Sequence, residues 1–279
     1  MNCKIVVDSS ADLAASKNKN IATAPLEIII GEEKFSDNKK INVAAMMKTM
    51  KAHKGKSSTS CPSVKAWLDA FKGAQNIFCI TITSALSGSY NSACAAAKEY
   101  KALNPNANIC VIDSLSTGAE IGLAVDWLLK NAEQRDDFVE LSVRLKKYMS
   151  NTGLIFMLKS LENLAKNGRV PLAVAKIAGI LGIRVVGKAS EKGELKTLAK
   201  VRGDDAAIAS VLENMEKTGF QDGKVKISHC FNKSEAKALK NLILQKYKNA
   251  QIEIYEMRGL CSFYAENGGI IVGYEKSAV

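Results

Sequence analysis

The sequence has few of the residues that metal centres require. Only two His occur in 279 residues, His53 and His229, and the seven Cys include no Cys-x-x-Cys pair. Zinc sites are built from His and Cys at short, regular spacings, and no such spacing occurs here. The sequence therefore predicts no metal site.

Nucleotide-binding and hydrolase motifs are also absent. The first strand is not followed by Gly-x-Gly-x-x-Gly, and no Gly-rich phosphate loop ending in Gly-Lys-Ser/Thr occurs. A Gly-x-Ser-x-Gly nucleophile elbow is missing too. We therefore expect no cofactor, and a Ser–His–acid triad would have to recruit His229 from the far half of the chain.

Long apolar runs are missing as well. The apolar stretches are interrupted by charges before they reach the length of about 18 residues that a membrane helix needs. Stretch 170–187, for example, contains Lys176 and Arg184. The N-terminal residues lead directly into an apolar strand without a signal-peptide pattern, and the odd number of Cys favours free thiols. We expect a cytoplasmic protein with no transmembrane segment.

Proline and acidic residues are scarce relative to the rest of the composition. With 4 Pro and 19 Gly the chain is not linker-rich, and its length suits one large domain or two medium ones. The 39 Lys and Arg exceed the 28 Asp and Glu, which gives a net charge of +11. Because these cations are mostly Lys spread along the chain, a solvated surface is favoured and we expect no nucleic-acid partner. A basic interaction protein for nucleic acid or a membrane surface stays open as an alternative.

The apolar periodicity of the first half predicts a parallel sheet. Continuous apolar strands at 3–8, 21–30, 77–83 and 108–113 alternate with helices that begin near Asn42, Ser63, Ser89 and Thr117. Such strands, buried on both sides, are typical of a mostly parallel sheet with helices on both faces.

The second half predicts a mixed α/β layout with an antiparallel hairpin, 183–187 with 194–201. The other predicted elements are helices 136–151, 204–217 and 233–248 and strands 154–158, 224–231, 251–257 and 269–274. The fold class is therefore α/β in two domains, 1–150 and 151–279, with a boundary near residue 150.

Three strands of the first half end in loops rich in hydroxyl groups: Asp8-Ser9-Ser10, 84–89 and 113–118. Ligands of open parallel sheets bind beyond the carboxyl ends of the strands. These loops are therefore a candidate binding site.

Two further segments have a dense set of hydroxyls. In 57–63, Ser63 can cap a helix, which leaves Thr59 and Ser60 without such a role. In 86–92, Gly88 can ease a tight strand-to-helix turn, or Ser87 and the helix amides can bind an anion. Local sequence favours the two interpretations equally, and a carboxylate suits such a site without any Lys.

The ordered series of motifs resembles the DegV family over most of the chain. The matching segments are 5–13 (Ile-Val-Val-Asp-Ser-Ser-Ala-Asp-Leu), Ala24-Pro-Leu26 with Gly31, Thr59-Ser-Cys-Pro-Ser63, Leu86-Ser-Gly-Ser-Tyr-Asn-Ser92, Val111-Ile-Asp-Ser114 with Gly118, Leu161 to Gly168-Arg169, Gly193-Glu-Leu and Lys200-Val-Arg-Gly203. The series is far more specific than any one of its members.

The resemblance implies a binding protein rather than an enzyme, with a long-chain fatty acid such as palmitate or oleate held between two domains. Some family members present the acyl chain to a fatty acid kinase, which phosphorylates the carboxylate. Carried over to this sequence, the carboxylate contacts fall on Thr59 or Ser60, on Ser87 and on the amide of Gly88. The loop residues Asp8, Ser9 and Ser10 are expected to support them.

The sequence departs from the family pattern at its C-terminal motif, His-x-Gly-Pro-Gly. The matching stretch 265–270 has Glu266 where the His would stand and lacks the Pro. Arg184-Val185 replaces the usual Lys-Pro. Since the family His lies near the head group, Glu266 is expected there, where an acid would repel a carboxylate or hold a proton.

Two interpretations stay open beside these. The apolar run 177–183 suits either a wall of the acyl slot or an ordinary core helix. An enzyme acting on a small acid or ester could use Ser87 as nucleophile, but it needs a base, and only His229 or a Lys could serve.

Overall fold

The computed structural model describes residues 3–13, 18–132, 137–178 and 181–277. Its strands are β1 (Lys4–Asp8), β2 (Ile21–Ala24), β3 (Glu27–Ile30), β4 (Glu33–Ser36), β5 (Ser57–Ser60), β6 (Asn76–Thr81), β7 (Asn108–Asp113), β8 (Thr152–Leu158), β9 (Ile183–Ala189), β10 (Leu195–Arg202), β11 (Lys224–His229), β12 (Gln251–Glu256) and β13 (Ile270–Glu275). Its helices are α1 (Val43–Ala52), α2 (Val64–Phe71), α3 (Ser89–Leu103), α4 (Gly118–Asn131), α5 (Phe138–Ser150), α6 (Glu162–Lys166), α7 (Leu172–Ala178), α8 (Asp204–Lys217), α9 (Lys233–Lys246) and α10 (Gly259–Ala265).

The first sheet has the order β2-β1-β6-β7, and all its strands are parallel. Helices α2 and α3 pack on one face, where Trp67 and Phe71 meet Val6. Helices α4 and α5 pack on the other face, where Leu128 meets Phe78. The predicted parallel sheet with helices on both faces is confirmed. Its strands are apolar on both sides because helices cover both faces.

The predicted strand 21–30 is wrong as a single element. It divides at Pro25 into β2 and β3, because proline donates no backbone hydrogen bond to a sheet ladder. Strand β3 instead belongs to a three-stranded antiparallel sheet of order β4-β3-β5. Strand β5 is the hydroxyl segment Ser57–Ser60, whose polar composition gives no strand pattern.

The third sheet is mixed, with the order β10-β9-β8-β13-β11-β12. The predicted hairpin is confirmed as β9 and β10, and β11 and β12 are parallel. Strand β8 is buried on both faces: Ile155 and Met157 contact the α8 and α9 side, whereas Leu154, Phe156 and Leu158 lie in a second apolar cluster. The helical segment that ends before Gly168-Arg169 is α6, and no bounds were predicted for α6 or α7.

Helix α4 lies between the first sheet and the mixed sheet. Its Ile121 and Val125 belong to the core of the first sheet. A Cβ at Gly273 of β13 would lie 2.5 Å from the backbone of Ala119, so helix and strand approach closely. The strands before and after Ser150 form separate sheets, yet one apolar cluster runs across this point. The domain boundary near 150 therefore stays a prediction.

In the part of the chain that the structure describes, no helix has both the length and the apolar character needed to cross a membrane.

Candidate functional site

A cavity of about 330 Å³ lies between the first sheet and the mixed sheet. This volume falls in the range of about 300–1,000 Å³ that small-molecule sites occupy. Most of its lining residues are apolar, and β8, β13 and α10 contribute Leu154, Phe156, Leu158, Ile271 and Leu260 among them. The inward side of β8 thus forms one part of the wall, because alternate residues of a strand face opposite sides.

Hydroxyl groups line one part of the cavity. Thr59 and Ser60 at the end of β5 and Ser87 before α3 all belong to the lining, as does Gly88. Thr59 Oγ1 lies 2.7 Å from the hydroxyl oxygen of Tyr264 on α10, within hydrogen-bond distance. The structure therefore brings four predicted site residues to one cavity.

The segment 83–88, here called the serine loop, is fixed by its own backbone. The amides of Leu86 and Ser87 donate to the carbonyl of Thr83 at 3.2 and 3.3 Å. Ser87 Oγ accepts from the amide of Ser89 at 3.3 Å. Gly88 is the N-cap of α3 and supplies no side-chain cap, so the positive end of this 15-residue helix lies at the cavity.

Close packing at Gly88 joins the serine loop to the end of β5. A Cβ at this position would lie 3.3 Å from Cys61 Sγ, and Cys61 itself lines the cavity. A side chain at Gly88 would therefore crowd the space between the two hydroxyl segments.

Asp8 lies behind the cavity wall and does not line it. Its buried carboxylate accepts hydrogen bonds from the amide and hydroxyl of Ser10, from the amide of Ile82 at 2.9 Å and from Ser89 Oγ at 2.5 Å. Desolvation raises the pKa of Asp8, and these four donors lower it in part. Asp8 thus ties the end of β1 to β6 and to the start of α3.

Ser9 and Ser10 are also buried outside the lining of this cavity. Ser9 Oγ accepts from the amide of Leu26 at 3.1 Å. The carbonyl of Ser10 accepts from Cys261 Sγ at 3.5 Å. Since Leu26 and Cys261 are both wall residues, Ser9 and Ser10 act on the cavity through them.

Glu266 does not line the cavity, in contrast to the position expected for it beside the head group. Its Oε1 accepts from Ser160 Oγ at 2.9 Å and from the amide of Asn163 at 3.0 Å, next to a separate cleft. Desolvation raises the pKa of Glu266, and these hydrogen bonds lower it in part. The neighbouring Ala265 lines the cavity instead. Glu266 lies at that cleft because Ser160 and the start of α6 supply the hydrogen-bond donors for its carboxylate there.

Sequence reasoning did not identify Tyr264 and Arg169, two polar lining residues, as contact residues. Among the described residues Arg169 is the one charged side chain in the lining, and its Nε donates to the carbonyl of Leu86 at 3.2 Å. The signals were present, because Arg169 closes one family motif and Tyr264 directly precedes another. Neither motif, however, indicates that the side chain of Arg169 or Tyr264 lines the cavity.

The run 177–183 contributes nothing to the described lining. Residues 179–180, and the side chains of 176–178, lie outside what the structure describes. Of the remainder, Leu181 is 93% exposed. The interpretation of this run as a cavity wall therefore stays a prediction.

His229 lies at a different cavity, beside Glu256 and Phe231. Its Nδ1 accepts from the amide of Asn232 at 3.3 Å, and burial lowers its pKa. The described lining around Ser87 therefore contains no imidazole that could act as its base.

Comparison with known proteins agrees with the sequence motifs. The sequence model described as "Uncharacterised protein, DegV family" matches residues 2–277. A DegV domain-containing protein of Streptococcus pyogenes serotype M1 is 42% identical over 279 residues, which cover 99% of this chain and 100% of the relative.

Solved structures share the fold over its whole length. A DegV family protein from Eubacterium eligens, loaded with heptadecanoic acid, is 38% identical with a TM-score of 0.96, covering 99% of this chain and 100% of the other. The Fatty Acid Kinase (Fak) B3 protein of Streptococcus pneumoniae, loaded with linoleic acid, gives the same identity, TM-score and coverage. The chain therefore belongs to the DegV family.

Proposed function

We propose that this protein binds one long-chain fatty acid in the cavity, with its carboxylate at the hydroxyl groups. The observation that carries the proposal is the cavity itself, an apolar slot whose hydroxyls and single guanidinium lie beside the N-terminus of α3. The relatives from E. eligens and S. pneumoniae, each 38% identical, were loaded with heptadecanoic and linoleic acid. Their ligands support an acyl chain of similar length here.

The acyl chain supplies most of the binding free energy in this account. Each buried methylene contributes about 0.8 kcal/mol, so a long chain is held firmly by the wall alone. The head-group contacts then fix orientation and select an acid over other lipids, as a few polar groups do in apolar pockets.

The hydroxyl groups can each direct one hydrogen at the carboxylate. When Tyr264 donates to Thr59 Oγ1, the Thr59 hydrogen is free to donate to a carboxylate oxygen. Ser87 Oγ already accepts from Ser89 and keeps its own hydrogen for the ligand.

Ser60 and the amide of Gly88 complete the proposed contacts, and Asp8, Ser9 and Ser10 hold the surrounding backbone. Glu266 is left out of the head-group contacts because it faces a separate cleft.

We further propose that the protein is a carrier that presents the acid to a fatty acid kinase, rather than an enzyme. The similarity to the Fak B3 protein supports a kinase partner. The described lining supports a carrier role, because it contains no His, Lys, Asp or Glu that could act as a base for Ser87. A kinase consumes ATP, so the proposal places the protein in the cytoplasm.

The test is a titration of the delipidated protein with oleate and palmitate by isothermal calorimetry. We expect one site per chain and a large loss of affinity in the Thr59→Val, Ser87→Ala double variant. Ser58→Ala is the matched control, because Ser58 precedes Thr59 in β5 and lies outside the lining. Absence of binding in the wild type, or an unchanged affinity in the double variant, contradicts the proposal.

A further inference from the structure

The turn that joins β9 and β10 has an unusual pattern of exposure. Residues 190–194, here called the hairpin tip, include Gly193, which is buried although Glu191, Lys192 and Glu194 around it are exposed. The tip is held by its own hydrogen bonds, from the amide of Gly193 to Ser190 O at 2.9 Å and from the amide of Ser190 to Glu194 O at 2.8 Å. A rigid turn whose glycine alone is buried is pressed against another part of the molecule.

That other part is the end of the parallel sheet. A Cβ at Gly193 would overlap Thr83 Oγ1 and would lie 2.9 Å from Thr83 Cβ and 3.0 Å from Leu115 Cα. Thr83 is buried, and the atom contributed by Leu115 belongs to the backbone, so neither can move cheaply. Only glycine fits this approach, and its φ of +76° also favours glycine.

Thr83 is the first residue of the serine loop. Its carbonyl receives the amides of Leu86 and Ser87, and its Oγ1 accepts from the amide of Ala85 at 3.2 Å. The hydrogen bonds that the amides of Ala85, Leu86 and Ser87 make within the serine loop thus all end on Thr83. A displacement of Thr83 by the hairpin tip would therefore also move Ser87, which makes one of the proposed head-group contacts.

Two more contacts connect the same elements. Leu195, two residues beyond Gly193, lines the cavity, so the hairpin is also part of the wall. Arg169, from the segment between α6 and α7, donates to the carbonyl of Leu86 in the serine loop. The C-terminal half therefore holds this loop at both Thr83 and Leu86.

We propose that the hairpin tip is a latch that holds the serine loop closed over a bound fatty acid, with Gly193 as the positioning residue that sets how long the ligand stays. This inference rests on the proposed function. It adds a determinant of ligand release that touches neither the carboxylate nor the acyl chain.

The test compares two glycines with the same positive φ. Gly73 also has a φ of +76°, and nothing lies within 4 Å of a Cβ built there. Gly193→Ala and Gly73→Ala therefore both place an alanine at a φ of +76°, but only the first meets a steric obstacle. The measurement is the rate at which oleate leaves the loaded full-length protein for excess serum albumin, followed by stopped flow.

We expect Gly193→Ala to release oleate about tenfold faster than wild type, since overlap of this kind costs roughly a tenfold change in equilibrium. Gly73→Ala is expected to match the wild-type rate. Oleyl alcohol should be released at similar rates by all three proteins, because it lacks the carboxylate through which the serine loop acts. Equal oleate rates in the two variants overturn the latch and leave the proposed function intact, whereas a wild type that holds no oleate overturns both.

A second measurement needs no variant and covers the case in which Gly193→Ala does not fold. Hydrogen exchange at the amide of Gly193 reports opening of the tip in the wild-type protein. We expect oleate to slow this exchange, because a loaded site keeps the latch closed. Exchange that is the same with and without oleate contradicts the latch.

Discussion

At the scale of single residues, the proposed head-group contacts depend on a pair separated by 205 positions in the chain, Thr59 and Tyr264. When Tyr264 donates to Thr59 Oγ1, it fixes the direction of the Thr59 hydroxyl, although Tyr264 stands outside the hydroxyl motifs. A tyrosine hydroxyl in this position decides which lone pairs and hydrogens remain for the ligand.

Tyr264→Phe should therefore weaken binding of the acid more than binding of the corresponding alcohol. Loss of one hydrogen bond of about 1 kcal/mol predicts a loss of roughly fivefold in oleate affinity. Calorimetry with oleate and oleyl alcohol checks this, with Tyr90→Phe as the control because Tyr90 lies outside the lining. Equal losses for the two ligands would show that Tyr264 acts only as part of the wall.

A second residue-scale feature is the buried carboxyl of Asp12. It accepts from the amide of Arg258 at 2.5 Å, just before α10, whose Leu260, Cys261 and Tyr264 line the cavity. The pKa of Asp12 is raised to about 7, because desolvation by burial and the neighbouring Asp37 raise it by more than the hydrogen bonds and charge of Arg258 and Ser228 lower it. The folded protein thus holds a proton on Asp12 at pH values where the unfolded chain has released it.

Between about pH 4 and pH 7 the free energy of unfolding should consequently fall as pH rises, because the folded state binds more protons. Asp12→Asn should remove that part of the slope and gain stability relative to wild type toward pH 7. Urea unfolding at several pH values measures it, with the exposed Asp69→Asn as control. A slope that is the same in Asp12→Asn and wild type contradicts the assignment.

At the scale of elements, the pairing of β8 with β9 shapes the cavity wall. Gly187 of β9 lies opposite Phe156 of β8, and a Cβ on Gly187 would overlap the Phe156 ring and lie 2.7 Å from the carbonyl of Lys196. Since the carbonyl is backbone, the Phe156 ring has to yield, and Phe156 lines the cavity. In the proposed complex, the absence of a side chain at Gly187 therefore leaves Phe156 in a position that makes room for the acyl chain.

Gly187→Ala is expected to lower the affinity for oleate by about tenfold and that for laurate much less, because a displaced ring shortens the slot. The double variant Gly187→Ala, Phe156→Leu should recover most of the oleate affinity, as coupling between touching residues requires. Calorimetry with both acids measures this. Uniform loss for both acids and no recovery would mean that the substitution only disturbs the fold.

The elements also show how far the sequence alone leads. The parallel sheet and the hairpin follow from local apolar periodicity, and Thr59, Ser60, Ser87 and Gly88 follow from ordered motifs. Strand β5 does not, because Ser57–Ser60 has no apolar residue and is a strand only through its pairing with β3. The roles of Tyr264 and Arg169 and the outward side of Glu266 depend on contacts between distant segments, which no local pattern encodes.

At the scale of the whole molecule, the net charge of +11 belongs to the surface and the proposed site lies between the sheets. Oleate affinity should therefore change less than about threefold between low and high salt, since a buried ligand is weakly screened. Titration of the protein with oleate across a salt series measures this. A steep, linear decline of log affinity with log salt would instead support a basic surface that binds polyanions.

The central claim is that this fold encloses one fatty acid, and native mass spectrometry of the freshly purified protein tests it most directly, followed by solvent extraction of what it releases. The account predicts a mass excess that corresponds to one long-chain acid per chain and that is lost in the Thr59→Val, Ser87→Ala variant. A protein that shows only the mass of its own chain, and keeps that mass after incubation with oleate and palmitate, would contradict the account.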